Sequence, residues 1–377
     1  MGISVLHVIY SFRQGGMENM ISQMAWRLSQ SGFNVTVCAL AGADDFKKRL
    51  PPGTPVLELH KRRGLDLRCA MRLRALIREL QPDVIHSHNW NSLVYSLLAL
   101  GLRRTPLLHG EHALLYGWER SPWRLWLRRL FYARCDIIHT VSHGQVSDMA
   151  ALGLTRHLNL RVILNGVDTL KFSPLDKAQC RRTLGLPADT PCIGMAARYV
   201  PEKRHYLLLK AFEKIASTFP NVRLVLAGAG GNCEAETHAL VASHPFADRI
   251  IQLGHRDDMT TVYNALDLFV LTSTSEGMSN ATLEAMSCGV PVLMNASCGS
   301  EELIHPGRNG SLAAMTSAGD VAAAVSTLLA QPEQLRTLGG GARAFIEHEY
   351  PLSKTAAEYA AVYAELAGKQ LTAMEGR

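Results

Sequence analysis

Residues 272–303, TSTSEGMSNATLEAMSCGVPVLMNASCGSEEL, constrain the fold more than any other stretch of the 377-residue chain. Just before them, Asp267-Leu268-Phe269-Val270-Leu271 is an apolar, β-rich run of the kind that forms a buried parallel strand. Past Ser279 the pattern turns helical. Ala281, Leu283, Glu284, Ala285 and Met286 are helix formers, and Gly289 with Pro291 ends the run. Ser279 or Asn280 can cap that helix, whose first-turn N–H groups then face whatever lies beyond the strand end. A strand, a polar loop and a helix N-terminus make a site for an anion such as a diphosphate. Glu276 in the loop and Glu284 on the helix frame this site. Carboxylates repel phosphate, so they fit here as acceptors for sugar hydroxyls at either end of a sugar nucleotide.

The same strand–loop–helix unit repeats along the chain. Val5-Leu6-His7-Val8-Ile9 reads as a first buried strand, followed by the turn Arg13-Gln14-Gly15-Gly16-Met17-Glu18. A helix from about Glu18 to Gln30 then puts Met20, Ile21, Met24, Ala25 and Leu28 on one face. Gly15 and Gly16 permit a tight turn and close backbone approach to a ligand. The turn is not GxGxxG, and no acidic residue follows the second strand (35–40), so a dinucleotide site is disfavoured. Further strands are expected at Pro82-Asp83-Val84-Ile85-His86, with Ser87-His88-Asn89 at its end, and at Pro106-Leu107-Leu108-His109-Gly110-Glu111-His112. Others are expected at Asp136-Ile137-Ile138-His139-Thr140, Cys192-Ile193-Gly194-Met195-Ala196, Val222-Arg223-Leu224-Val225-Leu226-Ala227 and Ile250-Ile251-Gln252-Leu253-Gly254. Residues 318–366 are expected to be helical. In doubly wound sheets of this kind, ligands collect at the C-terminal ends of strands.

Composition narrows the class. With 47% hydrophobic and 19% charged residues the chain can bury an ample core, and its length suggests two or three domains. Eight scattered cysteines, without a CxxC pair, favour buried thiols in a reducing compartment over disulfides or zinc. The N-terminus MGISVLHVIYSF has no basic leader, and no apolar run approaches the ~20 residues of a membrane span. The expectation is therefore a cytoplasmic chain. Residues 1–170 carry 21 Lys/Arg and 12 Asp/Glu, a balance of +9, whereas the remainder holds 18 and 21, a balance of −3. The basic half then faces an acidic acceptor or anionic lipid. Residues 116–134 hold three of the five tryptophans together with Arg120, Arg124, Arg128, Arg129 and Arg134. A helix after Pro122 would group Trp123, Trp126, Leu127, Leu130 and Phe131, with arginines at its borders. That composition suits either an interfacial helix on the inner face of a membrane, over residues 118–134, or a sheet-packing helix with a solvated basic flank.

Glu276 and Glu284, with the following VPVL and GSEEL, resemble the paired-glutamate signature of retaining glycosyltransferases of the GT-B fold, family 4 (glycosyl transferases group 1). The string Gly277-Met278-Ser279-Asn280, where that family more often has Gly-Phe-Gly, resembles a branch common among polysaccharide-assembly enzymes. Arg198 and Lys203 are similar to the family's basic pair for the donor diphosphate. Gly15-Gly16 with Glu18 is similar to its first glycine loop, and Asn165-Gly166-Val167-Asp168 to its link between domains.

The resemblance implies an α/β chain of two Rossmann-like β/α/β domains facing each other across a cleft. The acceptor-binding domain would span 1–170 and the nucleotide-sugar domain 171–355, with a last helix (356–377) returning to the first. Glu284 would bind ribose hydroxyls and Glu276 the donor sugar. Amides of Gly277 to Asn280, with Arg198 and Lys203, would hold the sugar ring and diphosphate. His112 would touch the transferred sugar, with His109 as the runner-up and Glu111 as an alternative acid or base. Gly16, Gly228, His255, Arg256 and Thr282 would complete the donor contacts. No Asp-x-Asp occurs, so neither a metal nor another cofactor is expected. The implied partners are a nucleotide-sugar and a saccharide or lipid-linked saccharide, and no nucleic acid. The implied activity is sugar transfer to an acceptor hydroxyl. The rivals are a sugar-nucleotide 2-epimerase of the same architecture and a non-catalytic sugar-nucleotide-binding scaffold.

Overall fold

The computed structural model describes residues 2–370 other than Gln14, Arg103, Ser275 and Cys298. The chain divides into two units, one made of Met1–Asn165 with Ser353–Arg377 and the other of Gly166–Leu352.

The first unit holds seven parallel strands: β1 (Ile3–Phe12), β2 (Phe33–Ala43), β3 (Val56–Glu58), β4 (Val84–His88), β5 (Leu107–Glu111), β6 (Ile137–Thr140) and β7 (Leu160–Val162). Their order across the sheet is β3-β2-β1-β4-β5-β6-β7. The second unit holds β8 (Cys192–Ala196), β9 (Arg223–Ala227), β10 (Ile250–Gly254), β11 (Leu268–Leu271), β12 (Val292–Asn295) and β13 (Ser311–Ala313), ordered β10-β9-β8-β11-β12-β13. Both orders are those of doubly wound Rossmann sheets, in which winding reverses at the first strand. The reversal falls between β1 and β4 in one unit and between β8 and β11 in the other.

These strands read as unbroken apolar runs because helices cover both faces. Val5, Leu6, Val8 and Ile9 of β1 are almost wholly buried, as are Ile193, Met195, Leu268, Phe269 and Val270 in the second unit. The covering helices follow their sequence periodicity. Leu67–Leu80 buries Cys69, Ala70, Leu73 and Ile77, and it begins where the Asp66 carboxylate accepts the Cys69 N–H at 3.1 Å. The helix Leu352–Ala367 brings Thr355 to the Leu164 carbonyl (2.8 Å) and Glu365 to Arg161 (2.7 Å), both within the first unit. No helix among the described residues is long and apolar enough to cross a membrane.

The helix Pro122–Tyr132 departs from the expected basic flank in one respect. Trp123, Trp126 and Leu130 are exposed, whereas Arg128 points inward and is 3% exposed. It lies four residues before Tyr132, so one helical face buries both. Arg128 there answers a buried carboxylate, Glu111, through a 2.7 Å ion pair. The described cysteines are all free thiols, and Cys298 lies outside the described residues.

Candidate active site

The expected donor residues of the second unit that follow β8 and β11 gather where its winding reverses. β8 and β11 are neighbours, with Leu268 opposite Ile193, so the loops that leave their C-terminal ends meet. Arg198 follows β8 and is exposed, and its guanidinium makes no hydrogen bond or ion pair with a described residue. Lys203 closes the short turn Pro201–Lys203, and its Nζ lies 2.5 Å from Glu276 Oε1. Backbone and side-chain bonds hold the two loops together. Thr274 N–H donates to the Glu202 carbonyl at 2.9 Å, and the Thr272 hydroxyl donates to the Lys203 carbonyl at 2.8 Å. Arg204, which the sequence did not single out, takes a left-handed φ of 51° and donates to the carbonyls of Thr272 (2.6 Å) and Met315 (2.9 Å). It is a tether for the loop rather than a further cation for a ligand.

Glycine makes the loop packing feasible. A Cβ on Gly299, at φ +87°, would sit 2.3 Å from the Glu276 carbonyl oxygen. One on Gly228, at φ +137°, would meet the Ala197 carbonyl at 2.1 Å, so only glycine lets the turn after β9 lie against the chain leading to Arg198.

The helix Asn280–Ser287 starts immediately beyond this loop. The Ser279 hydroxyl caps it by accepting the Thr282 N–H at 3.3 Å. Gly277, Met278 and Ser279 are buried, so any ligand contact they make runs through the backbone. Glu284 is half-buried and accepts a 2.8 Å hydrogen bond from Tyr263 Oη, which orients it. Ser273 Oγ and Thr282 Oγ1 are buried without a hydrogen-bond partner among the described residues, an arrangement that a polar ligand could complete. His255 and Arg256 stand apart, beyond β10, an edge strand two places from β8. Arg256 is occupied by Asp258 at 2.8 and 2.6 Å, and His255 lies 3.5 Å from Asp257.

In the first unit, Gly16 opens the helix Gly16–Ser29 after β1, and His112 follows β5. Asn89 joins them. Its Oδ1 accepts the His112 N–H at 3.1 Å, and its Nδ2 lies 3.4 Å from Met17 Sδ. The imidazole of His112 is pushed down to about 4 by burial, with the opposing pull of Glu111 only partly compensating, so it is neutral at pH 7.

Strand alternation separates Glu111 from His112. Glu111 shares the opposite face of β5 with His109 and accepts from Arg128 (2.7 Å), Tyr132 (2.5 Å) and His109 (3.2 Å). Burial alone would raise its carboxyl. The His109 hydrogen bond and the Arg128 charge outweigh that and bring it down to about 2. A carboxylate so held stays ionised and fixed, which removes Glu111 as an alternative acid or base. His109 is likewise consumed, by Ser87 (2.9 Å) as well as by Glu111.

Two Rossmann-like units, with basic residues, a helix N-terminus and paired glutamates at a switch point, define a glycosyltransferase of the GT-B type. The family models agree. Residues 14–171 match "Glycosyltransferase Family 4" and residues 176–345 match "Glycosyl transferases group 1". The chain belongs to this family of glycosyltransferases. Among curated relatives, D-inositol 3-phosphate glycosyltransferase 2 of Catenulispora acidiphila is 29% identical, over 96% of this chain and 92% of that protein. Among solved structures, Anabaena Alr3699/HepE in complex with UDP-glucose superposes with a TM-score of 0.84 at 22% identity, covering 96% of this chain and 100% of that one. Sucrose-phosphate synthase of Thermosynechococcus elongatus gives 0.82 at 20% identity, covering 97% and 99%.

Proposed function

We propose that the chain transfers a sugar from a UDP-sugar, with retention at the anomeric carbon, to a hydroxyl of a lipid-linked saccharide or a growing surface polysaccharide. The observation that carries this reading is the meeting of Arg198, Lys203, Glu276 and the capped helix bearing Glu284 at one switch point. Arg198 and Lys203 stabilise the charge left on the departing diphosphate. The helix N-terminus adds its dipole and N–H groups, so no metal is needed on the diphosphate. In the free chain Lys203 is paired with Glu276. Donor binding exchanges that partner for phosphate and releases the carboxylate to a sugar hydroxyl. The acceptor oxygen bonds to the anomeric carbon as the sugar–phosphate bond breaks, and the acceptor proton passes to the leaving phosphate oxygen. The paired-glutamate resemblance supports retention. The UDP-glucose bound by Anabaena HepE supports a uridine nucleotide.

A thermal-shift and hydrolysis screen over UDP-, GDP-, ADP- and dTDP-sugars, with chelator present, tests the donor assignment. A ligand that binds only the folded state raises its apparent stability. The expected result is a selective shift and slow hydrolysis with one UDP-sugar. Conversion of the donor to its epimer, or no shift with any nucleotide-sugar, rules the transferase reading out.

The acceptor reading extends to the surface of the first unit. Trp118, Trp123 and Trp126 are 66%, 60% and 59% exposed, and the Arg124 guanidinium lies 4.0 and 4.5 Å from the first two rings. Exposed indoles beside arginines suit the interfacial zone of an anionic membrane, as expected for a peripheral enzyme on its inner face. Co-sedimentation with phosphatidylglycerol vesicles is expected for the native chain and is expected to weaken at least ~10-fold in Trp123→Ser/Trp126→Ser. Equal binding by the two proteins removes this surface from the proposal.

A further inference from the structure

The first unit contains a layer of imidazoles, of which only His112 has an expected part in the transfer reaction. Parallel register places His7 of β1 opposite His86 of β4, and His88 lies two residues further along the same face. Gly110 of β5 stands opposite both His88 and His139 of β6, so His139 and the strand-end His112 share that face. Gly110 leaves the space they occupy, since a Cβ there would lie 2.4 Å from His139 Nε2 and 2.8 Å from His112 Nε2.

One ring nitrogen from each of His7, His86 and His88 lies within 4.8 Å of the other two, and all three residues are at most 2% exposed. His7 Nδ1 and His88 Nε2 are 2.9 Å apart. The outward nitrogens are already engaged, His86 Nδ1 with Tyr363 Oη at 2.7 Å and His88 Nδ1 with His112 Nε2 at 2.9 Å. This is the secondary bonding that fixes the ring of a metal-ligating histidine and directs its other nitrogen to the ion. His139 Nε2 is 2.9 Å from His86 Nε2, and its Nδ1 is buried with no hydrogen-bond partner among the described residues.

We propose that His7, His86 and His88 form a buried site for a borderline divalent cation such as Zn2+. Imidazoles without thiolate or carboxylate suit zinc, copper or nickel rather than magnesium or calcium. Bonds of about 2.05 Å at tetrahedral angles separate ligand nitrogens by about 3.3 Å. His7 Nδ1 and His88 Nε2, now 2.9 Å apart, need to part by a few tenths of an ångström, and His86, within 4.8 Å of both, needs to close on them. Burial, followed by the neighbouring imidazoles, keeps these rings neutral and their lone pairs available.

The ion would tie β1 and β4 together. By holding His88 at Nε2 it would also make His88 Nδ1 the donor to His112, which leaves His112 with its proton on Nδ1. The ion's three ligands belong to the first unit, and Arg198, Lys203 and Glu276 to the second.

The test is metal content, so it does not depend on transferase activity. The full chain is stripped with chelator, loaded with Zn2+ or Co2+, desalted and assayed for bound metal and, with Co2+, for the visible absorption of a tetrahedral nitrogen site. About one equivalent bound, with a raised Tm, is expected for the native chain and for His348→Gln, an exposed histidine elsewhere. His7→Gln and His88→Gln are each expected to bind at least ~10-fold more weakly. Circular dichroism at pH 7.5 identifies a variant that fails to fold, and the native measurement decides if both do. No bound ion in the native chain, or full occupancy in a folded variant, overturns the site.

Discussion

In chelator-containing buffer, the first unit is expected to lose its stability as the pH falls from 6.5 towards 5. An unfolded histidine titrates near 6.5. Within the fold, burial and then the charge of His112 lower His7 to about 3, and burial lowers His112 to about 4. His86, His88 and His139 are held well below the ordinary value by burial and then by neighbouring imidazoles, His88 foremost for His86 and His112 foremost for His88 and His139. The unfolded chain therefore binds more protons than the folded one in this window, and stability falls with pH. Nothing on the same face reverses the sign. Tyr359 and Tyr363, from the C-terminal helix, are neutral there because burial raises both phenols, and Glu111 faces the other way. Each extra proton contributes about 1.4 kcal/mol per pH unit, so five give up to about 7. Urea-unfolding midpoints at pH 7.5, 6.5, 5.5 and 5 measure it, and His139→Leu is expected to flatten the slope by about one proton. Midpoints that do not change over this range would show that the histidine layer already accepts protons in the fold.

Glu276→Ala is expected to lower kcat by about 10²–10³ while changing stability by about 1 kcal/mol. The carboxylate is partly open to solvent and bonded to Lys203, so its loss leaves no deeply buried charge unpaired. UDP affinity should change less than ~10-fold, because the diphosphate ligands and Glu284 remain. Glu301→Ala, exposed in the adjacent GSEEL turn, is the matched control and should be near-normal. Turnover within a few-fold of the native rate for Glu276→Ala would remove that residue from the reacting centre. Unchanged turnover alongside a sharp loss of UDP affinity would place it on the nucleotide instead.

The strands around both switch points were legible as apolar runs, since a parallel strand covered on both faces must be apolar nearly throughout. β3, β7 and β13 were not. Each is three half-buried residues at a sheet edge, too short for periodicity to register. The loop residues Arg198, Lys203 and Glu276 could be picked out because charged groups stand at the ends of those strands. Arg204, of the same type and next to Lys203, could not be told from them. Its positive φ and its bonds to Thr272 and Met315, 68 and 111 residues away, are what make it a tether. Arg128 offered a solvated-flank pattern because its buried partner Glu111 lies on another element.

By itself the sequence determined the doubly wound α/β class and the strand–loop–helix unit carrying Glu276 and Glu284, because these depend on local hydrophobic periodicity, capping and glycine positions. Only the tertiary structure decided that His7, His86, His88, His112 and His139 share one buried face while His109 and Glu111 share the other. That division depends on the pairing register of four parallel strands, β1, β4, β5 and β6, drawn from residues more than a hundred positions apart. A shift of one residue in any of them would turn its side chains to the opposite face.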